Sequence, residues 1–382
     1  MNANPPSTGH DPNSLPSSSR RPVTRRQFAR IALATTAATA CSVGLPVAST
    51  AQSPTGVGKK GIRLGLDNFA VRAMRWKAES LIDYAASLRL NSLFISDLDA
   101  FVTLEEPALR TLRSRAADNG LQIHLGTWSI CPTSKTFRKN RGTAEEHLAL
   151  GIRCAKALGS PVLRVVLGAV EDRFTPGGIE ARIEDTVKVC QALRSQAIDA
   201  GVKIAVENHA GDMQAWELVT LIEAAGKEFI GANIDSGNAA WTLEDPLSNL
   251  ELLAPYVLTT SLRDSAIWEY EEGAKVQWTA MGEGTIDQKA YFSRFAELCP
   301  GVPVHIETIS GFPREFPYLK PEFWKAYPKA RAHEFARFVA LARRGRAIPP
   351  HRSENEAAEQ SYQKGEVERS IEYCRKELGL GV

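Results

Sequence analysis

The chain is poor in cysteine and histidine and nearly balanced in charge. Its 382 residues include six cysteines, no two of them spaced as CxxC, and seven histidines. This pattern offers neither a disulfide framework nor the ligand spacing of a zinc finger. The formal net charge of +2 argues against a strongly basic surface of the kind that binds nucleic acid.

The N-terminal segment carries a targeting pattern instead of a fold. Residues 1–23 are rich in Pro, Ser and Asn, and the segment 24–30 reads TRRQFAR ahead of a mildly apolar run. Paired arginines before such a run are typical of a twin-arginine export signal, whereas a disordered basic tail would need no apolar run. The run is too short and too rich in Thr for the ~20 apolar residues of a membrane span.

We therefore interpret residues 1–51 as an export signal with its n-region, and we expect a periplasmic or extracellular protein. Proteins exported by this route leave the cytoplasm folded, often with a cofactor already bound. Folding in a reducing compartment fits unpaired cysteines, and the route favours a bound metal. A weak lipobox-like pattern ends at Cys41, and we do not expect it to be lipidated.

Strand-like and helical patterns alternate through the rest of the chain. Short apolar runs typical of buried parallel strands occur at 62–66, 91–95, 121–125, 162–167, 202–206, 230–234, 257–262 and 302–306. A helical pattern follows each run and is easiest to see at 78–88, 107–119, 144–158, 179–200, 216–226, 287–298 and 332–344. This alternation predicts βαβ units and a parallel sheet.

Eight such units predict a single-domain (β/α)8 TIM barrel over residues 60–345. A polar C-terminal tail at 346–382 would add one helix, at 354–378. A doubly wound open sheet is the alternative, but it would need a glycine-rich phosphate turn after the first strand. Residues 66–69 read LDNF, which is not such a turn.

Two long segments interrupt the pattern after the last two strands. Residues 265–285 contain Trp268 and Trp278, and residues 310–329 are dense in Pro and aromatic residues. Long loops in a compact domain are commonly lids or binding loops. Trp278 is a candidate for stacking on a sugar ring, and loop packing is the alternative.

Three acidic residues end strand-like runs. Strand alternation predicts that Glu207, Asp235 and Glu307 point into the barrel mouth and converge there. Three carboxylates without a matching cluster of lysines repel one another, and a divalent cation is the simplest way to hold them ionised. Oxygen ligands favour Mn²⁺ or Mg²⁺, with Zn²⁺ as the alternative.

The chain resembles the xylose-isomerase-like superfamily of sugar phosphate isomerases and epimerases. The resemblance covers residues 60–345 and depends on the motifs VENH at 206–209, NIDSGN at 233–238, LRD at 262–264, GEG at 282–284 and HIET at 305–308. It implies a metal held by a Glu, an Asp, a His and a second Glu, which correspond here to Glu207, Asp235, Ser261 and Glu307. Ser261 departs from the pattern because a hydroxyl is a weaker ligand than imidazole. Asn238 stands where the family often has a second His.

The resemblance also implies an activity. It is that of a metal-dependent isomerase or epimerase acting on a sugar or sugar derivative, with Glu207 and Glu307 moving a proton beside a carbonyl. A lyase or hydratase on keto-glycosides would use the same carbanion chemistry. A barrel that only binds sugar is a second class, favoured by Ser261 and Asn238. An apurinic endonuclease shares the fold but needs many histidines, and we rank it last.

Several side chains near these acids have both a functional and a structural interpretation. His209 is expected to contact substrate or to cap its loop, and Arg263 to bind a substrate oxyanion or to neutralise the carboxylates. Asn238 and Asp264 are further substrate-binding candidates, and Asp264 has the alternative role of orienting a neighbour. The expected partner is a small carbohydrate, and assembly into a homo-oligomer stays open.

Three other charged or polar residues are expected to be structural. We expect His305 to be a hydrogen-bonded core residue one layer below Glu307. We expect Arg164 and Lys203 to point inward from lower in the barrel. Structural ion pairs of Glu207 and Glu307 with Lys203 or Arg263 are the alternative to metal ligation.

Overall fold

The structure is a computed structural model that describes residues 61–382. The predicted export signal and Cys41 lie outside the described residues, so export, cleavage and the absence of lipidation stay predictions. Within residues 61–382, no helix is both long enough and apolar enough to cross a membrane.

Residues 61–382 form eleven strands, eight of which make a parallel barrel. The strands are β1 Leu64–Asp67, β2 Ser92–Ile95, β3 Gln122–Ser129, β4 Val162–Val166, β5 Lys203–Glu207, β6 Ile230–Ile234, β7 Val257–Thr260, β8 Asp264–Tyr270, β9 Gly273–Thr279, β10 Val304–Ile306 and β11 Pro313–Phe316. The barrel order is β10-β1-β2-β3-β4-β5-β6-β7. A parallel bridge between Leu262 and Ile306 joins the two ends. This confirms the predicted (β/α)8 barrel.

The barrel strands are apolar because they are covered on both faces. Every residue of β4 and β6 is buried, as expected for parallel strands between an interior and a ring of helices. Polar residues lie at the carboxyl ends of the strands. The carboxyl rim therefore collects the charged side chains of several strands.

The helices surround the barrel and largely follow the predicted pattern. They are α1 Ala78–Ser87, α2 Glu106–Asp118, α3 Ala144–Leu158, α4 Gly178–Ala192, α5 Arg194–Ala200, α6 Ala215–Ala225, α7 Ser236–Trp241, α8 Pro246–Leu253, α9 Gln288–Leu298, α10 Ala332–Arg344 and α11 Glu356–Lys376. The helix predicted at 179–200 is interrupted at Leu193, whose φ and ψ are −103° and 9°. The short helix α7, with α8 after it, was not predicted, because six residues are too few to show an apolar period.

The segment 265–285 is a β-hairpin, and its prediction as a long loop was wrong. Strands β8 and β9 pair in antiparallel fashion, and β11 from the second long segment adds a third strand. The alternation of polar and apolar residues in KVQWT, at 275–279, was a strand signal that the density of polar residues concealed. The hairpin brings Trp278 to the barrel mouth.

Helices α10 and α11 hold this small sheet and its connecting turn in place. Ile267 and Val276 of the sheet pack in one apolar cluster with Phe338 and Leu341 of α10. From α11, the hydroxyl of Ser370 accepts the backbone N–H of Met281 at 3.0 Å. The C-terminal helix is thus a structural part of the rim.

Replacing Gly345 with Ala should destabilise the protein. An added Cβ at Gly345 would overlap the carbonyl oxygen of Ile267 in β8, so either α10 or the sheet must move, at a cost of about 1–3 kcal/mol. Chemical denaturation would measure the loss. Gly365→Ala is the matched control, because the nearest atom to an added Cβ there is Nη1 of Arg369, 3.4 Å away. This control should leave stability unchanged or raise it, and an equal loss in both variants would contradict the packing argument.

Candidate active site

Three acidic side chains converge on the carboxyl rim of the barrel. Glu207 ends β5, Asp235 follows β6 and Glu307 follows β10, and all three are buried. One oxygen atom from each lies within 4.8 Å of the others, as strand alternation predicted. The distances alone would allow the three carboxylates to ligate one divalent ion.

A guanidinium group already joins two of these carboxylates. Nη2 of Arg263 donates to Oδ2 of Asp235 and to Oε2 of Glu307, and the side chain of Arg263 is only 2% exposed. Burial lowers the pKa of Arg263, but Asp235 and Glu307 outweigh it and the net shift is upward. The group therefore keeps its charge and neutralises the carboxylates, one of the two roles expected for it.

The third carboxylate is paired with a second arginine. Nε of Arg164, on β4, lies 2.9 Å from Oε2 of Glu207, and its Nη1 donates to the carbonyl oxygen of Thr127 at 2.8 Å. Arg164 points inward from a lower position in the barrel, level with Ala205, as expected, and its long side chain reaches Glu207 at the rim. Lys203 is exposed, contrary to the prediction that it points inward.

Two asparagines complete the hydrogen bonding of Glu207 and Asp235. Nδ2 of Asn238 donates to Oε1 of Glu207 (3.2 Å) and to Oδ2 of Asp235 (2.6 Å). Nδ2 of Asn233 donates to Oε2 of Glu207 at 3.1 Å. Oδ1 of Asp235 accepts the backbone N–H groups of Gly237 and Asn238, at 2.8 and 3.0 Å, and so caps α7. All four oxygens of the two carboxylates are thus engaged.

A fourth carboxylate, Asp67 at the end of β1, belongs to the same network. Oγ of Ser261 donates to Oδ2 of Asp67 (3.0 Å) and accepts from Nδ2 of Asn233 (3.3 Å). Ser261 therefore lies beside the cluster with its hydroxyl directed to Asp67. Asp67 was not among the predicted site residues, although it ends a strand-like run in the same way as Glu207.

Burial makes these acids hold their protons more tightly. It raises the pKa of Asp235 to about 6 and the pKa of Glu307 well above its ordinary value, against the lowering effect of Arg263. Burial also raises the pKa values of Glu207 and Asp67, where Arg164 opposes the shift. Shifts of this kind bring carboxyl groups toward the pH range in which they can both give and take a proton.

The cluster is arranged around guanidinium groups, which compete with a metal ion for its carboxylates. One oxygen of Asp235 and one oxygen of Glu307 accept hydrogen bonds from Arg263. Ser261 supplies no imidazole, and its hydroxyl is bonded to Asp67. A divalent ion would have to displace Arg263 or lie next to its charge, which is electrostatically unfavourable. As arranged, these residues do not fit a metal, even though three carboxylates are close together.

Two of the carboxylates, Glu207 and Glu307, line a cavity of about 250 Å³ with aromatic walls. The aromatic side chains that line it are Phe69, Trp128, Trp241, Trp278 and Phe312. The rings of Trp241 and Trp278 stack with 3.9 Å between their centroids. Such a site has flat apolar walls and a charged floor, and it suits a ligand with apolar ring faces and polar edges.

His209 lies in the same cavity and is neutral. Its Nδ1 lies 2.6 Å from the carbonyl oxygen of Gly168, and a carbonyl only accepts, so the proton is on Nδ1. Burial lowers the pKa of His209 to about 4. Nε2 is left with its lone pair as an acceptor, and the ring is fixed by this bond and by an edge contact with Trp128.

Two further predicted residues lie outside the cavity lining. The carboxylate of Asp264 accepts the backbone N–H groups of Ser265 (2.7 Å) and Gly284 (3.1 Å), so Asp264 organises the turn after the hairpin. His305 is fully buried, with Nδ1 3.1 Å from the carbonyl oxygen of Thr260, as expected of a core histidine.

The sequence was compared with known families and proteins. The family described as "Xylose isomerase-like TIM barrel" matches residues 82–337. A 3-oxo-isoapionate decarboxylase of Pectobacterium atrosepticum is 22% identical over 239 residues, which cover 59% of this chain and 78% of the relative.

Solved structures share the fold at low sequence identity. An L-ribulose 3-epimerase superimposes with a TM-score of 0.53 at 16% identity, covering 83% of this chain and 97% of that protein. A structure of the IolI protein with a bound zinc atom has a TM-score of 0.50 at 14% identity, covering 75% of this chain and 100% of that protein. At such identities these likenesses show the fold alone.

The protonation of His209 can be tested by NMR. We expect the ring to stay neutral, with its proton on Nδ1, from pH 8 to pH 5, because burial lowers its pKa to about 4. An unfolded histidine takes up its proton near 6.5, so this residue should destabilise the fold progressively as the pH falls below 6.5. Long-range ¹H–¹⁵N spectra of ring-labelled protein report both tautomer and titration. A proton on Nε2, or a midpoint near 6.5, would contradict the geometry.

Proposed function

The chain belongs to the xylose isomerase-like TIM-barrel family, and we propose that it is an enzyme that moves a proton beside a carbonyl group of a sugar derivative. An isomerase or epimerase is the leading form of this proposal. The observation that carries it is the position of Glu207 and Glu307, which belong to one buried acidic cluster and line one cavity.

The two glutamates would have different parts in the proton transfer. Among the described residues, only Arg263 donates to the carboxylate of Glu307, so its second oxygen is left to take a proton from carbon. Glu207 is held by Arg164 and Asn238 and would return a proton from its own side of the cavity. Raised pKa values favour both steps, because a general acid or base works best when its pKa lies near the pH of the reaction.

A small sugar derivative matches the walls and size of the cavity. A volume of about 250 Å³ lies below the range of pockets that hold drug-sized ligands, ~300–1,000 Å³. The stacked rings of Trp241 and Trp278 offer a flat apolar face, and Nε2 of His209 offers an acceptor for a hydroxyl group.

Loss of a group next to the carbonyl is the alternative reaction. The relative from P. atrosepticum is named as a decarboxylase of a 3-oxo compound, and cleavage beside a ketone leaves the same enolate as proton removal does. Decarboxylation, or elimination from a keto-glycoside, therefore needs the same cavity. A barrel that only binds sugar is less well supported, because binding alone gives no reason to bury four carboxylates together.

Two finer predictions from the sequence stay open. A bound Mn²⁺ or Mg²⁺ ion, with Zn²⁺ as the alternative, remains a prediction that metal analysis would test. The pairing of Arg263 with Asp235 and Glu307 argues against a bound ion. Export to the periplasm or beyond would place the enzyme where carbohydrates enter the cell. Fractionation of cells that express the full chain would test that location.

Amide variants of the two glutamates test the proton transfer. Glu207→Gln and Glu307→Gln should each lower kcat by about 10²–10⁴-fold, the usual effect of removing a general acid or base. Turnover would be followed by NMR in D2O on ketoses, keto-glycosides and 3-oxo sugar acids, which reports isomerisation, elimination, decarboxylation and uptake of deuterium at carbon.

Glu297→Gln is the control, because this residue is exposed on the outer face of α9. It should behave as the wild type. Thermal melting would confirm that the variants are folded. Full turnover of every accepted substrate by either site variant would refute the assignment of that glutamate.

A further inference from the structure

Arg263 carries hydrogen-bond donors that the protein leaves unused. Nη2 is engaged by Asp235 and Glu307, but Nε and Nη1 are buried and have no partner within residues 61–382. The indole N–H of Trp278 is also buried without a partner there. Leaving such groups unpaired costs free energy, and Arg263 and Trp278 both line the cavity. A ligand with negative charge or lone pairs would satisfy them.

The position of this guanidinium is fixed from two sides. Its Cζ lies 4.3 Å from the ring centre of Trp278, and Trp278 is itself stacked on Trp241. The stem of Arg263 passes over Gly237, where an added Cβ would lie 2.6 Å from Cδ of Arg263 and 2.8 Å from Nε1 of Trp278. Glycine at 237 is thus the residue that lets the arginine and the tryptophan lie side by side.

The same residues explain how the cluster is neutralised without a metal. Arg263 bridges two of the carboxylates that the family resemblance assigns to a metal, and Arg164 pairs with the third. Ser261 and Asn238 stand at the two positions where histidine was expected. Asn238 donates to Glu207 and Asp235 and so adds hydrogen bonds that help to hold these two carboxylates.

We propose that Arg263 takes the place of the metal ion, and that one of its unpaired N–H groups, on Nε or Nη1, binds the substrate oxygen that becomes negatively charged. This inference depends on the proposed enolate chemistry and adds that no divalent ion takes part. A guanidinium can serve because it is permanently charged and offers two N–H groups in a fixed plane. Arg263 would thus be a catalytic residue that contacts the reacting carbonyl oxygen.

The chemistry balances with groups already present. Glu307 takes the proton from the carbon beside the carbonyl, the C–H electron pair forms the C=C bond of the enolate, and the carbonyl π pair moves to oxygen. The charge of Arg263 and one of its unpaired N–H groups stabilise that negative oxygen. Return of a proton to carbon restores the carbonyl, and no oxidant, reductant or metal is consumed.

Metal analysis and binding of an enolate mimic test the proposal together. The protein would be purified without chelators, analysed by mass spectrometry for Mn, Mg and Zn, and then passed over a chelating resin. Oxalate, a planar dianion with the charge distribution of an enolate, would be titrated while tryptophan fluorescence is followed. We expect less than stoichiometric metal, and oxalate binding that is the same before and after the resin.

Variants at Arg263 separate its charge from its free N–H groups. Arg263→Lys keeps a cation between Asp235 and Glu307 but loses the fork, and it should fold yet bind oxalate at least about tenfold more weakly, as expected for lost charge-assisted hydrogen bonds. Arg343→Lys, at an exposed position on α10, is the control and should bind like the wild type. Thermal melting of both variants checks the fold.

The role of Arg263 and the proposed proton transfer can fail independently of each other in these experiments. Stoichiometric metal whose removal abolishes oxalate binding would overturn the role of Arg263, as would wild-type affinity in Arg263→Lys or no oxalate binding at all. Either result leaves the glutamate variants to decide the proton transfer by themselves. Conversely, metal-free binding through Arg263 together with full turnover in Glu207→Gln and Glu307→Gln would refute the proton transfer alone.

Discussion

Burial of negative charge at the barrel mouth is the constraint on which the rest of the site depends. Carboxylates removed from water are costly unless each is paired and hydrogen-bonded. Here Arg263 bridges Asp235 and Glu307, and Arg164 pairs with Glu207. These ion pairs require long side chains in fixed positions. The elements around the rim hold those side chains in position.

The small antiparallel sheet is such an element. It is not part of the barrel, yet β9 places Trp278 against the guanidinium of Arg263. The sheet is held by α10 through Phe338 and Leu341, and the turn that follows it is bonded to α11. Helices α10 and α11 therefore contribute to the site by packing, at a distance from its charged groups.

The same burial connects stability to chemistry. Desolvation raises the pKa of Asp235 and Glu307 and lowers the pKa of His209. An acid that is hard to ionise and a histidine that stays neutral cost stability in the folded protein, and both are useful in a site that exchanges protons.

The sequence alone determined the barrel and its acidic rim. Strand and helix periods are local, and the period of two in a strand directs Glu207, Asp235 and Glu307 to the same side, so their convergence could be predicted. The identity of the cation could not, because an arginine side chain is long and its direction depends on packing. The reach of Arg164 to Glu207 was not predicted, and Arg263 was left between two roles. Only the tertiary structure, through Gly237 and Trp278, decided that a guanidinium lies among the carboxylates.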